Sequence, residues 1–239
     1  MISAVNGFRD RIRSALWVAL LRARLRRRGT RLVVEGAVRF DGPPRVRVLD
    51  RGEGPGRTTL RLARGSSLGR DLELVLWSGG DNVLELREGA YLQRGVRIEL
   101  RGGTVSLGPH AHVRDSAVLK SQGELTVGRE VTISFGDVIA CTERVEIGDL
   151  CGLGERVTVT DSDHTHDGSD DHYLVQPLRI TPVRLGRNVL VSANAVVLRG
   201  ADVGDNAVIG AGAVVGAGRH DGGQLYLGAP AKPVRRLGA

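Results

Sequence analysis

Three of the six histidines and five aspartates crowd into fourteen residues, Thr160-Asp161-Ser162-Asp163-His164-Thr165-His166-Asp167-Gly168-Ser169-Asp170-Asp171-His172-Tyr173. A histidine beside carboxylates can be oriented through one ring nitrogen while the other takes a proton, and it titrates near neutral pH. Such a pair suits the removal of a proton from a hydroxyl, a poor nucleophile until it is deprotonated. Each of the three histidines has aspartates close by in the chain that could orient it. A solvated filler loop is the bland alternative, and the density of titratable side chains argues against it. The two cysteines, Cys141 and Cys151, form no metal motif and are too few for a disulfide framework. No disulfide is required, so a reducing compartment such as the cytoplasm suits the chain.

The scaffold behind this segment is written in a six-residue step. Leu185, Val191, Val197, Val203, Ile209 and Val215 keep it without a miss, and Val189, Ala195, Ala201, Ala207 and Ala213 fall four positions after the first five of them. Neither the helical period nor strand alternation gives this spacing, whereas a coil with three short equivalent sides does. Gly186, Gly204, Gly210 and Gly216 follow the aliphatic residue and mark tight corners. The register runs upstream in triplets at Leu86, Leu92, Ile98; Leu107, Val113, Leu119; Val127, Ile133, Ile139; and Ile147, Leu153, Val159. Looser triplets occur at Val34, Phe40, Val46 and at Leu62, Leu68, Leu74. Eight triplets predict an all-β prism of about eight coils, roughly 38 Å long at the ~4.8 Å spacing of stacked strands. Asp137 occupies a small-residue position and does not fit. The register breaks once, between Val159 and Leu185, and the polar segment lies in that break.

Charge is +7, with Lys120 and Lys232 the only lysines, and aromatics are 3% of residues. Arginine is scattered along the coils without stacking aromatics, which argues against nucleic-acid binding. The dense cluster is N-terminal. Residues 5–28 read as an amphipathic helix with Ile12, Leu16, Leu20 and Ala23 on one stripe, widened by Trp17 and Leu21. Arg9, Arg11, Arg13, Arg22, Arg24, Arg26, Arg27 and Arg28 surround it. It is too short and too charged to span a membrane. Two readings stand: a cap packed on the first coil, or a helix lying on an anionic membrane surface. The expected organisation is an N-terminal helix over residues 1–30, coils over 31–218 with an insertion at 160–182, and a tail over 219–239.

These features resemble the hexapeptide-repeat acyltransferases, which include maltose, galactoside and polysaccharide O-acetyltransferases. The resemblance is carried by the hexads, by Val157-Thr158-Val159-Thr160 followed by His164, and by the tail Gly228-Ala229-Pro230-Ala231-Lys232-Pro233-Val234-Arg235. It covers residues 125–237 well and extends loosely to residue 86 or beyond. It implies a left-handed parallel β-helix, an exception to the usual crossover rule. It further implies acetyl-CoA as acyl donor, a sugar acceptor, no required metal, and a homotrimer with its site between subunits. By position, His164 matches the family's catalytic histidine and His166 is its rival, so the resemblance implies one of these two as the base, with Asp161 or Asp163 as its candidate orienting acid. Ser134 stands where the family has an acceptor-binding asparagine, Ser192 and Ala211 fall on corners facing the pantetheine arm, and Lys232 and Arg235 match tail positions that meet the coenzyme's phosphates. A threonine-lysine pair of some relatives is replaced by Gly216-Ala217, with Arg219 a candidate for the missing charge. On spacing alone the tail reads equally as a turn and a solvated end.

The implied activity is an acetyl-CoA-dependent O-acyltransferase acting on a polysaccharide precursor or a small glycoside. The alternatives are an N-acetyltransferase acting on an amino-sugar nucleotide, a γ-carbonic-anhydrase-like metalloenzyme, and a non-catalytic β-helix scaffold. The metalloenzyme needs two histidines five residues apart. His110 and His112 are two apart, as are His164 and His166.

Overall fold

The computed structural model describes residues 2–26, 30–50 and 56–238, with side chains from Ile12 onward except Arg24. It is a left-handed parallel β-helix of about eight turns behind one N-terminal helix. Three parallel sheets of nine, ten and eight strands form the faces of the prism. The first runs from Thr30–Val34 to Gly218–His220 and the second from Arg39–Phe40 to Gln224–Leu227, closed by Lys232–Arg236; the third runs from Arg45–Leu49 to Val214–Val215.

All eight triplets occupy equivalent registers. On the first sheet Val34, Leu62, Leu86, Leu107, Val127, Ile147, Leu185 and Val203 stand one above another. The middle and last members of each triplet do the same on the other two sheets; Ile133 opposes Leu153 and Ile139 opposes Val159, for example. Nearly all of these side chains are buried, with Val34 and Val46 packed partly buried against the core. Each fully buried aliphatic contributes about 1.5–3 kcal/mol, so the stack is held by many small equal increments between neighbouring turns.

The corners use two devices. Asn188, Asn194 and Asn206 take positive φ near 55–59°, which asparagine tolerates better than most residues. Gly148 instead allows close stacking, since a Cβ there would lie 2.5 Å from the Gly186 carbonyl oxygen of the next turn.

The helix spans Ile2–Arg26, and it packs on the prism with a different face from the one expected. Ser14, Leu21 and Leu25 are buried, helped by Trp17 and Val18, while Ile12, Leu16, Leu20 and Ala23 face outward. The Ser14 hydroxyl oxygen accepts the Phe40 backbone N–H at 3.1 Å, which fixes the helix to the first turn. The helix therefore caps the prism, and the stripe read as its packing face remains exposed. Arg9, Arg11, Arg24, Arg27 and Arg28 lie outside the described side chains.

The segment after Gly218 continues the coil before it becomes a tail. Gly218–His220 and Gln224–Leu227 pair in parallel with the eighth turn, and Tyr226 fills the inward position opposite Ile209. Lys232–Arg236 then folds back antiparallel and closes that end.

Candidate functional site

The break in the hexads is an ordered projection. Ser162–His164 pairs antiparallel with Leu178–Ile180, placing Asp163 opposite Arg179 and His164 opposite Leu178. Further out, Thr165 donates its N–H and its hydroxyl to the Pro177 carbonyl, and Gln176 exchanges hydrogen bonds with Asp167. His172 Nδ1 accepts the Leu174 N–H at the start of the short 3-10 helix Tyr173–Val175.

Asp161 holds the base of the projection. It is fully buried, and its carboxylate accepts the N–H groups of Thr142, Glu143 and Arg144 at 2.7, 2.7 and 2.9 Å. Those amides form the corner of the turn below. Asp163 is exposed and lies between Arg179 at 3.2 Å and Arg199 at 2.9 Å. Desolvation pushes its carboxyl up, but the hydrogen bonds and charges of these two guanidiniums together outweigh it and hold the group below the usual carboxylate range. Arg199 belongs to the seventh turn, so this cluster ties the projection to the prism wall.

The His164 imidazole is exposed at the end of its strand, in a T-shaped contact with Tyr173 at a centroid distance of 5.1 Å. His166 is also exposed, but its Nδ1 accepts the Gly168 N–H at 3.0 Å in a local turn. Among the described residues neither Asp161 nor Asp163 makes a hydrogen bond to either imidazole. Asp161 is spent on backbone amides, which does not fit the orienting role expected of it. Asp163 faces arginines.

The other expected positions gather on a different edge. Ser134, Ser192 and Ala211 sit at the corner between the second and third sheets, in the fifth, seventh and eighth turns. Ser134 is buried, Ser192 half-buried and Ala211 exposed. The tail passes the same corner: the Ala231 N–H donates to the Val214 carbonyl of the third sheet, and Lys232 and Arg235 follow, exposed, on the strand that closes the second. His164 projects instead from the corner between the third and first sheets. The third sheet separates the two edges, and its strand Val138–Cys141 alone is roughly 13 Å wide at ~3.3 Å per residue. Within the chain the candidate base and the candidate coenzyme-binding positions are not brought together.

Arg219 is paired with Asp202 at 2.6 Å, which also takes Arg184 at 3.1 Å. Its charge is therefore shared with that carboxylate. Burial pushes the Cys141 thiol up to about 11 and raises Cys151, so neither is poised as a thiolate. His112 is stacked on Tyr91 at 5.0 Å, and His110 is exposed. Among the described residues no group of three His, Cys, Asp or Glu side chains is placed to hold a metal. A cavity of about 560 Å³ lies far from the projection, beneath the helix, lined by Arg13, Trp17, Asp41 and Asp71 among others.

Asp137, the residue that breaks the small-position rule, is wholly buried at the Ser134 corner. It accepts the Ser134 N–H at 2.7 Å and the Val157 N–H at 2.8 Å, joining the fifth and sixth turns. Burial pushes its carboxyl up to about 7, against the pull of those two donors. A raised carboxyl contributes stability that is fully present below the unfolded value near 4 and is lost as pH rises through about 7. From pH 5 to pH 8 the wild type is therefore expected to lose about 2–3 kcal/mol more than Asp137→Asn. Urea unfolding of both proteins at the two pH values measures this, and parallel losses would refute it.

Residues 182–217 match the family model described as bacterial transferase hexapeptide (six repeats), so the seventh and eighth turns are built from that repeat. Nodulation protein L of Rhizobium meliloti (strain 1021) is 32% identical over 101 residues, covering 42% of this chain and 54% of that protein. "Probable acetyltransferase Rv3034c" of Mycobacterium tuberculosis (strain ATCC 25618 / H37Rv) is 29% identical over 148 residues, covering 61% and 49%. The chain thus spans about half the length of the curated relatives it matches. A crystal structure of a serine-to-threonine mutant of AntD, an N-acyltransferase from Bacillus cereus, in complex with dTDP and coenzyme A superposes with a TM-score of 0.48 at 15% identity, covering 91% of this chain and 89% of that one.

Proposed function

We propose that the chain is an acyltransferase that moves an acetyl group from coenzyme A to a sugar hydroxyl, with the site assembled from two protomers of a homotrimer. The observation that carries this reading is that the candidate base and the expected acceptor- and coenzyme-binding positions lie on two different edges of one prism. Ser134, Ser192, Ala211, Lys232 and Arg235 share one edge, while His164 is held clear of the next on an anchored projection. A second copy laid against the first brings a projection to the opposing edge. The hexapeptide repeat at residues 182–217 and a relative named as an acetyltransferase support the same reading.

In this reading His164 takes the proton of the acceptor hydroxyl as its oxygen attacks the thioester carbon. The carbon–oxygen bond forms, the carbon–sulfur bond breaks, and the imidazolium returns the proton to the departing thiolate. Backbone N–H groups at the corner stabilise the oxyanion. Lys232 and Arg235 attract the coenzyme's phosphates. Ser134 offers a hydroxyl near the acceptor where the resembled enzymes have an amide.

Acetyl-CoA at about 100 times its Kd should stabilise the protein by about 2.7 kcal/mol. For a chain of this size that raises Tm by roughly 5–10 °C. Released thiol in a screen of sugars and amino sugars then identifies the acceptor. No thermal shift and no thiol release with any acceptor would remove this reading, and turnover with amino sugars alone would change it to N-acyl transfer.

A further inference from the structure

The helix that caps the prism has two apolar faces, and only one is used. At 100° per residue, Ser14, Leu21 and Leu25 fall on one side, and those are the buried residues. Ile12, Leu16 and Leu20 fall on the opposite side, 47%, 59% and 56% exposed. Three large aliphatics in a row on an exposed helix face cost solubility without strengthening the cap.

The charge around them is equally uneven. Residues 1–28 hold eight arginines and one acid, Asp10, a net charge of +7. The whole chain has 34 basic and 27 acidic residues, so the remainder carries 26 of each and is balanced. The entire excess positive charge of the protein therefore resides in the segment that carries the exposed stripe. Arg13, Arg22 and Arg26 are exposed along the same helix. No helix among the described residues is long and apolar enough to cross a membrane.

An aliphatic stripe bordered by arginines, on a helix pinned by its other face, matches an anionic lipid surface: acyl chains take the leucines and headgroup phosphates take the guanidiniums. Nucleic acid would use the charge but leave the stripe wet, and a second copy would set arginines against arginines. We propose that the outer face of the N-terminal helix docks the protein on anionic membranes, with the axis of the β-helix directed away from the bilayer.

Sedimentation with vesicles tests this on the full chain. The wild type is expected to bind phosphatidylglycerol–phosphatidylcholine vesicles and to ignore pure phosphatidylcholine. Binding should weaken at least tenfold between about 0.1 M and about 0.5 M salt. The double variants Leu16→Asn/Leu20→Asn and Arg22→Glu/Arg26→Glu should each lose about tenfold or more in partitioning at an unchanged Tm, because all four side chains are exposed. His164→Ala should bind vesicles like the wild type, which keeps this test separate from acyl transfer. Three results would overturn the proposal. The first is no sedimentation with anionic vesicles, and the second is a change of oligomeric mass in the leucine variant with vesicle binding intact. The third is oligonucleotide binding lost in the arginine variant while neither variant alters vesicle partitioning.

Discussion

Replacing His164 by alanine is expected to lower kcat/KM by about 10²–10⁴-fold, the usual contribution of a positioned general base. The unfolding midpoint should stay where it is. The imidazole is exposed, with Tyr173 in a T-shaped contact, so its removal opens no cavity. His166→Ala should cost less than tenfold, because that ring's Nδ1 is occupied by a local turn. Kinetics and thermal unfolding of the two variants decide the matter. If His166→Ala carries the large loss and His164→Ala does not, the base lies two residues further along the projection.

Asp161→Ala is expected to give the largest loss of stability in the projection. Three backbone N–H groups lose their charged acceptor together, two of them at 2.7 Å. An unsatisfied buried donor costs about 1–3 kcal/mol. Glu143 and Arg144 are exposed, so water recovers part of the loss at those amides. A total of about 3 kcal/mol is expected, or roughly 6–12 °C in Tm for a domain of this size. Asp161→Asn keeps one acceptor oxygen and should lose about half as much. Acyl transfer should weaken in parallel, since this carboxylate anchors the residue at which the projection leaves the prism. An alanine variant as stable as the wild type would show that the corner does not need this carboxylate.

The coils were legible to the residue because a six-step pattern specifies both direction and neighbour. Leu62 must point inward, and it must also stand under Leu86. Even the loose early triplets, with longer loops around them, fell in register for that reason. The helix was not legible in the same way. Val18, Leu21 and Leu25 compete with Ile12, Leu16 and Leu20, and periodicity does not say which stripe meets the prism. Asp137 broke the small-residue rule because two amide donors from adjacent turns replace the missing apolar contact. The projection lies outside any repeat, so its partners were hidden. Asp163 meets Arg179 and Arg199, sixteen and thirty-six positions away, and only the antiparallel pairing and the seventh turn bring them together. The approach of Tyr173 to His164 left no signal in the chain for the same reason.

Coils stacked in equivalent register also make the molecule a ruler. The capped end is at the first coil and the projection leaves after the sixth, a span of roughly 25 Å in increments of ~4.8 Å. Adding or removing one whole coil, for instance between the equivalent positions Leu86 and Leu107, would shift that height by a single graduation and leave both ends as they are. Reach can therefore be adjusted in discrete notches independently of chemistry.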